Sequence, residues 1–107
     1  MITRQQFETK DEVINNLKTK TILILSSATC PPCIKLAEFL NKFKTEKNIP
    51  IFELKVPFFK DIEFFKDKFE LSCFPTVIVV DENFNKIDKK VGYDGDDKFK
   101  EFINKHF

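Results

Sequence analysis

The chain of 107 residues carries 18 Lys and Arg against 17 Asp and Glu, so no one-signed field exists to steer it onto nucleic acid or an anionic membrane. That length suits a single domain over 1–107, able to bury a core without a metal or disulfide staple. Three cysteines, with a pair in Cys30-Pro31-Pro32-Cys33, fit an intracellular redox motif better than a disulfide scaffold, which carries an even and larger set.

In chain order, a first strand is predicted near residues 2–7. Thr9, with Glu12 at capping-box spacing, then opens a helix carrying Val13, Ile14 and Leu17. Thr21 to Ser27 reads as a strand, and Ile22-Leu23-Ile24-Leu25 within it is apolar without alternation, as in a strand covered on both faces. The stripe Leu36, Leu40, Phe43 predicts a long helix over 31–46, and a strand over 51–56 follows Pro50. Phe58, Ile62, Phe65 and Phe69 share one face of the next helical segment, with Phe64 off that stripe. The near-repeat of Phe58-Phe59-Lys60-Asp61 in Phe64-Phe65-Lys66-Asp67 is too short for a stacked structural unit.

Val77-Ile78-Val79-Val80 reads as a second central strand, Asp81 to Asn85 as a hairpin turn, and Ile87 to Val91 as an edge strand. Asp96 to His106 closes the chain as a helix with Phe99, Phe102 and Ile103 inward. The order βαβαβαββα predicts an α/β fold with a mixed central sheet of about five strands and helices on both faces. The segment Met1 to Gln6 lacks the apolar core of a signal peptide, and the longest apolar runs are too short to span a bilayer. A cytoplasmic protein without a membrane partner is therefore expected.

The Cys30–Cys33 spacing places two thiols on the first turn of a helix. Disulfide exchange needs one accessible thiolate to attack and a second thiol near enough to release the mixed disulfide. The positive end of the helix favours the thiolate of Cys30. Pro31 and Pro32 lack N–H groups, so Cys30 can accept backbone hydrogen bonds only from Cys33 onward. Pro31 also fixes φ near a helical value at the first helical position. The same spacing supplies half of many zinc sites, and His106 with Cys30, Cys33 and Cys73 would complete a set. A histidine in the last helical turn more simply interacts with the helix C-terminus, and no metal is expected.

The strand, the cysteine pair, the helix, Phe74-Pro75-Thr76 ahead of an apolar strand, and the later Val91-Gly92-Tyr93 together resemble the thioredoxin family over nearly the whole chain. The resemblance implies the thioredoxin fold and a protein disulfide reductase, with Cys30 as nucleophile and Cys33 as resolving thiol. It further implies a redox-active Cys30–Cys33 disulfide, no bound cofactor, and an active-site loop of Pro31, Pro32 and a cis Pro75. Thr29, Phe74, Gly92 and Tyr93 would form the substrate-binding rim, Gly92 by letting backbone approach. The implied partners are disulfide-containing proteins and an NADPH-dependent thioredoxin reductase, and the implied state is a monomer. A glutathione-dependent, glutaredoxin-like reductase and a non-catalytic binding module on the same fold are the alternatives. The Phe-Pro-Thr loop and the lack of a Gly-Gly pair after the last strand disfavour the former.

Departures from the family pattern concern Thr29, where a tryptophan is usual, and Ile24, where a buried aspartate is usual. The aspartate is thought to manage the proton of the resolving cysteine, a task that would pass to water, Glu53 or Lys55. The simplest reading of Glu53 and Lys55 is an exposed strand face. Cys73 is open to two readings, a small buried hydrophobe or a reactive surface thiol.

Overall fold

The computed structural model describes residues 1–107. Its elements are β1 (Ile2–Gln6), α1 (Lys10–Asn16), β2 (Thr21–Ser27), α2 (Pro31–Lys42), β3 (Ile49–Val56), α3 (Ile62–Phe69), β4 (Thr76–Val80), β5 (Lys86–Val91) and α4 (Asp96–His106). They build a five-stranded sheet in the order β1-β3-β2-β4-β5. β3 runs parallel to both β1 and β2, whereas β4 is antiparallel to β2 and to β5. The expected mixed α/β sheet with helices on both faces is what the chain forms.

Strand alternation decides which helix each side chain meets. Leu23, Leu25, Ile78 and Val80 point to one face, where Val13 of α1, Leu17 at its C-cap, and Phe65 and Phe69 of α3 cover them. Ile22, Ile24, Ile51, Val77 and Val79 point to the other, beneath Leu36, Phe39 and Leu40 of α2 and Phe99 and Ile103 of α4. Both faces of β2 and β4 are thus dry, which is why neither strand alternates in polarity.

Local chemistry sets the boundaries. The Thr9 side chain accepts the Glu12 N–H while the Glu12 carboxylate accepts the Thr9 N–H, the reciprocal cap that opens α1 and contributes about 1 kcal/mol. α2 stops at Lys42 rather than near residue 46: Phe43 is extended and stacks on Phe39, and the terminal amine of Met1 donates to the carbonyls of Thr45 and Lys47. β3 begins at Ile49, so Pro50 lies inside a strand predicted to follow it. Pairing with β2 starts only at Ile51, so at Pro50 the sole sheet neighbour is β1, an edge-like position that tolerates proline. The first strand ends at Gln6, with Phe7 buried in the core beyond it.

Two large apolar side chains at the helices are exposed, and the first departs from its predicted stripe. Phe58 precedes α3 and is 55% exposed, while Phe59 is buried against Phe65 in its place. Ile14 of α1 is 42% exposed, because a helix this short turns a single narrow stripe inward. Phe64 lies off the core stripe as expected, stacked on Phe84. The β4–β5 connection is the predicted hairpin, with the Asp81 carboxylate accepting the N–H groups of Asn83 and Asn85 and Phe84 at φ +67.

His106 does not serve the end of its own helix. Its Nε2 donates to Asp88 on β5 at 2.7 Å, because α4 packs across that strand. Lys20 instead reaches the His106 carbonyl. The His106 hydrogen bond, ahead of the Lys89 N–H and the Lys105 charge, holds the Asp88 carboxyl below its usual range. A folded value below the unfolded one means a contribution to stability that is complete above the unfolded pKa and lost as pH falls through the lowered folded value. Asp88→Asn is accordingly expected to flatten the acid limb of a Tm-against-pH curve below about pH 4. Equal acid sensitivity in variant and wild type would refute that coupling.

Candidate active site

β2 ends at Ser27, and a short turn, in which the Cys30 N–H donates to the Ser27 carbonyl, delivers Cys30 to the N-cap of α2. Pro31 and Pro32 occupy the first helical positions, where a missing N–H costs nothing. The first available donor is the N–H of Cys33, and it points at the Cys30 sulfur with N···S 3.3 Å. The side chain of Cys30 thus caps the helix it introduces. Its thiol also faces the Phe74 carbonyl, with S···O 3.6 Å.

The sulfurs are not bonded to each other, and they differ in environment: Cys30 is half-exposed, Cys33 buried. Burial, and secondarily the hydrogen bond with Cys30, pushes the Cys33 thiol up to about 12. Cys73 is exposed, which decides between its two readings in favour of a surface thiol. Its carbonyl accepts the Thr76 hydroxyl at 2.7 Å, so the residue sits on the loop that brings Phe74 to Cys30.

The Phe74–Pro75 peptide is cis, as is Val56–Pro57, the latter unannounced by any signal in the sequence. Pro75 is buried, and its carbonyl accepts the Gly92 N–H at 2.8 Å, which ties the end of β5 to the loop. Gly92 has φ +81 and a Cβ there would meet nothing within 4 Å, so within the chain it is the backbone conformation that calls for glycine. Thr29 is exposed beside Ser27, hydroxyl to hydroxyl at 3.3 Å. Tyr93 packs against Phe39 and Phe99 with its hydroxyl on Asp96. Burial and that carboxylate together raise the phenol well above its usual range.

Behind Cys33 lies a pocket of about 160 Å³ lined by Ile24, Ser26, Cys33, Asn41, Glu53 and Lys55, among others. Glu53 is not on an exposed strand face. It shares the sheet face of Ile51 and Ile24, and α2 covers that face, leaving the side chain 17% exposed. Arg4 on β1 holds it by paired hydrogen bonds, Nε to Oε1 at 2.6 Å and Nη2 to Oε2 at 3.2 Å. No three His, Cys, Asp or Glu side chains converge into a group able to hold a metal ion.

The geometry therefore joins a helix-capping cysteine, a buried partner one turn inside, and a proline loop beside the outer sulfur. A family model described as a thioredoxin-like domain matches residues 7–107. The chain belongs to the thioredoxin family. Its fold is similar to that of the reduced thioredoxin pre-protein of Schistosoma mansoni, with a TM-score of 0.67 at 19% identity over 97% of this chain and 98% of that one. A thioredoxin of Malassezia sympodialis superposes with a TM-score of 0.71 at 17% identity, over 97% of this chain and 90% of its own. No curated protein sequence matches the chain significantly. Thioredoxin-like domains of this kind make up a family of thiol-disulfide oxidoreductases, and no helix here is long and apolar enough to cross a membrane.

Proposed function

We propose that the chain reduces disulfides in other proteins by dithiol-disulfide exchange. The observation that supports this best is the pair of sulfurs at the start of α2, one half-exposed beside the Phe74 carbonyl and one buried behind it. Cys30, as thiolate, attacks one sulfur of the substrate disulfide and expels the other, forming a mixed disulfide. Cys33, deprotonated, then attacks the Cys30 sulfur and releases the substrate's second thiolate, which takes a proton from water. The substrate gains two electrons and two protons, and the pair becomes the Cys30–Cys33 disulfide. No bound cofactor enters this cycle.

Pro31 and Pro32 shape the loop, and Pro75 holds Phe74 beside the attacking sulfur. Thr29, Phe74, Gly92 and Tyr93 supply the rim on which an extended segment docks. The electron donor in this reading is an NADPH-dependent thioredoxin reductase, and the protein acts as a cytoplasmic monomer of one domain.

The test is insulin reduction under two supplies, NADPH with thioredoxin reductase and glutathione with glutathione reductase. Turnover is expected with the first alone. Turnover with glutathione alone would assign a glutaredoxin-like activity, and no turnover with either, or with dithiothreitol, would leave a binding module.

A further inference from the structure

We propose that Glu53 is the proton acceptor for Cys33, acting through the pocket that both residues line, an inference that rests on reading Cys33 as the resolving thiol. A thiol that attacks a disulfide must give up its proton, beforehand or as the new bond forms. Cys33 is buried and its proton is held tightly, so a base within reach is a chemical requirement of the second half of the cycle. The pocket behind it has the volume and the polar lining to admit water, with Ser26, Asn41, Glu53 and Lys55 in its wall.

The groups facing Glu53 come from three directions. Arg4 lies on β1, Lys55 on its own strand, and Glu38 and Asn41 on α2. Of the two carboxylates, Glu38 is exposed at the α2 rim of the pocket, whereas Glu53 stands on the sheet floor directly beside Ile24 in the strand register. Arg4 takes one position on each Glu53 oxygen. A carboxylate oxygen has two acceptor positions, so each keeps one for a water chain toward the Cys33 sulfur. The same guanidinium, itself tied to the Asn41 side chain at 2.5 Å, fixes the carboxylate in place.

The step balances. As the Cys33 sulfur closes on Cys30, its proton passes through water to Glu53. The Cys30–substrate bond breaks, the substrate sulfur leaves with the electron pair, and Glu53 later returns the proton to solvent. Concerted transfer avoids a free thiolate in a buried site, which is the benefit of general base catalysis.

The experiment is stopped-flow reduction of the chromogenic disulfide 5,5′-dithiobis(2-nitrobenzoate), in a Cys73→Ser background that removes the exposed third thiol. Attack by Cys30 releases one thionitrobenzoate and attack by Cys33 the second, so the two half-reactions appear as separate phases. In Glu53→Gln the second phase should slow by about a hundredfold at neutral pH and rise about tenfold per pH unit, while the first keeps its rate. Wild type should hold a nearly flat second phase over the same range, a result that stands whether or not the variant folds. Glu38→Gln should match wild type.

A second phase unchanged in Glu53→Gln, a hydroxide-dependent second phase in wild type, or slowing in Glu38→Gln instead would overturn the assignment. Both phases falling together would give Glu53 a structural role and overturn it as well. A wild-type reaction lacking any second phase would sink the dithiol reading itself, a distinct result.

Discussion

Cys30→Ser is expected to bring insulin reduction down to the uncatalysed background, while Cys33→Ser should accumulate a mixed disulfide instead of turning over. The asymmetry follows from geometry. Cys30 is half-exposed at the N-cap of α2, where an incoming disulfide can meet it, whereas Cys33 is 6% exposed and can be reached only from within. Serine at position 30 keeps the helix cap, since a hydroxyl accepts the Cys33 N–H as well as sulfur does, so loss of turnover reports chemistry rather than folding.

In the Cys33→Ser protein the outer thiol still attacks, but the thiol one turn inside the helix that would release the adduct is gone. Mass spectrometry of the protein incubated with oxidised insulin should therefore find a covalent adduct at Cys30, cleared by dithiothreitol. Cys73 provides the internal comparison, since an exposed thiol that forms adducts at the same rate in every variant would show exposure alone to be sufficient. Residual turnover in Cys30→Ser, or adducts confined to Cys73, would defeat the proposed roles.

Much of this arrangement could be read from the residues because the informative signals are local. Cys30-Pro31-Pro32-Cys33 fixes its own geometry: prolines at the first helical positions leave the Cys33 N–H as the first donor, and the structure places that donor on the Cys30 sulfur. Unbroken apolar runs at Ile22–Leu25 and Val77–Val80 announce strands covered on both faces, and both are fully buried. The capping box at Thr9 and Glu12 likewise lies within one turn.

What escaped the sequence depends on contacts between distant segments. Glu53 follows the alternation of an exposed strand, but β3 lies between β1 and β2 beneath α2, so a polar position there faces a pocket and needs Arg4, 49 residues away in the chain, as its partner. The early end of α2 is set by the Met1 amine on the Thr45 carbonyl. His106 turns to Asp88 for the same reason, since only the packing of α4 over β5 brings them together. A helical stripe extended back to Phe58 fails because the turn before α3 seats Phe59 in the core. A polar residue at an inward strand register, read together with the strand order, is the signal that would have found Glu53.

The strongest expected effect on stability is at Phe65. Its ring is fully buried and meets Phe59, Phe64, Phe69 and Phe84 at centroid distances of 5.2, 5.6, 5.8 and 5.6 Å. Edge-to-face contacts dominate, the arrangement that aromatic quadrupoles favour. Phe65→Ala removes the hub, and rings held by the sheet on one side and by α3 and the β4–β5 hairpin on the other cannot all move inward to fill the space. The loss should be about 3–5 kcal/mol, which for a chain of this size lowers Tm by roughly 10–20 °C. Phe64 is the control. It neighbours Phe65 in sequence, stacks on Phe84 and is 38% exposed, so Phe64→Ala should cost only about 1 kcal/mol. Urea unfolding of both variants decides the matter: a midpoint shift for Phe65→Ala no larger than that for Phe64→Ala would mean that the aromatic cluster is not organised around Phe65. A shift of the expected size with the thiol chemistry intact would show that the cluster around Phe65 stabilises the fold without shaping the Cys30–Cys33 pair at the start of α2.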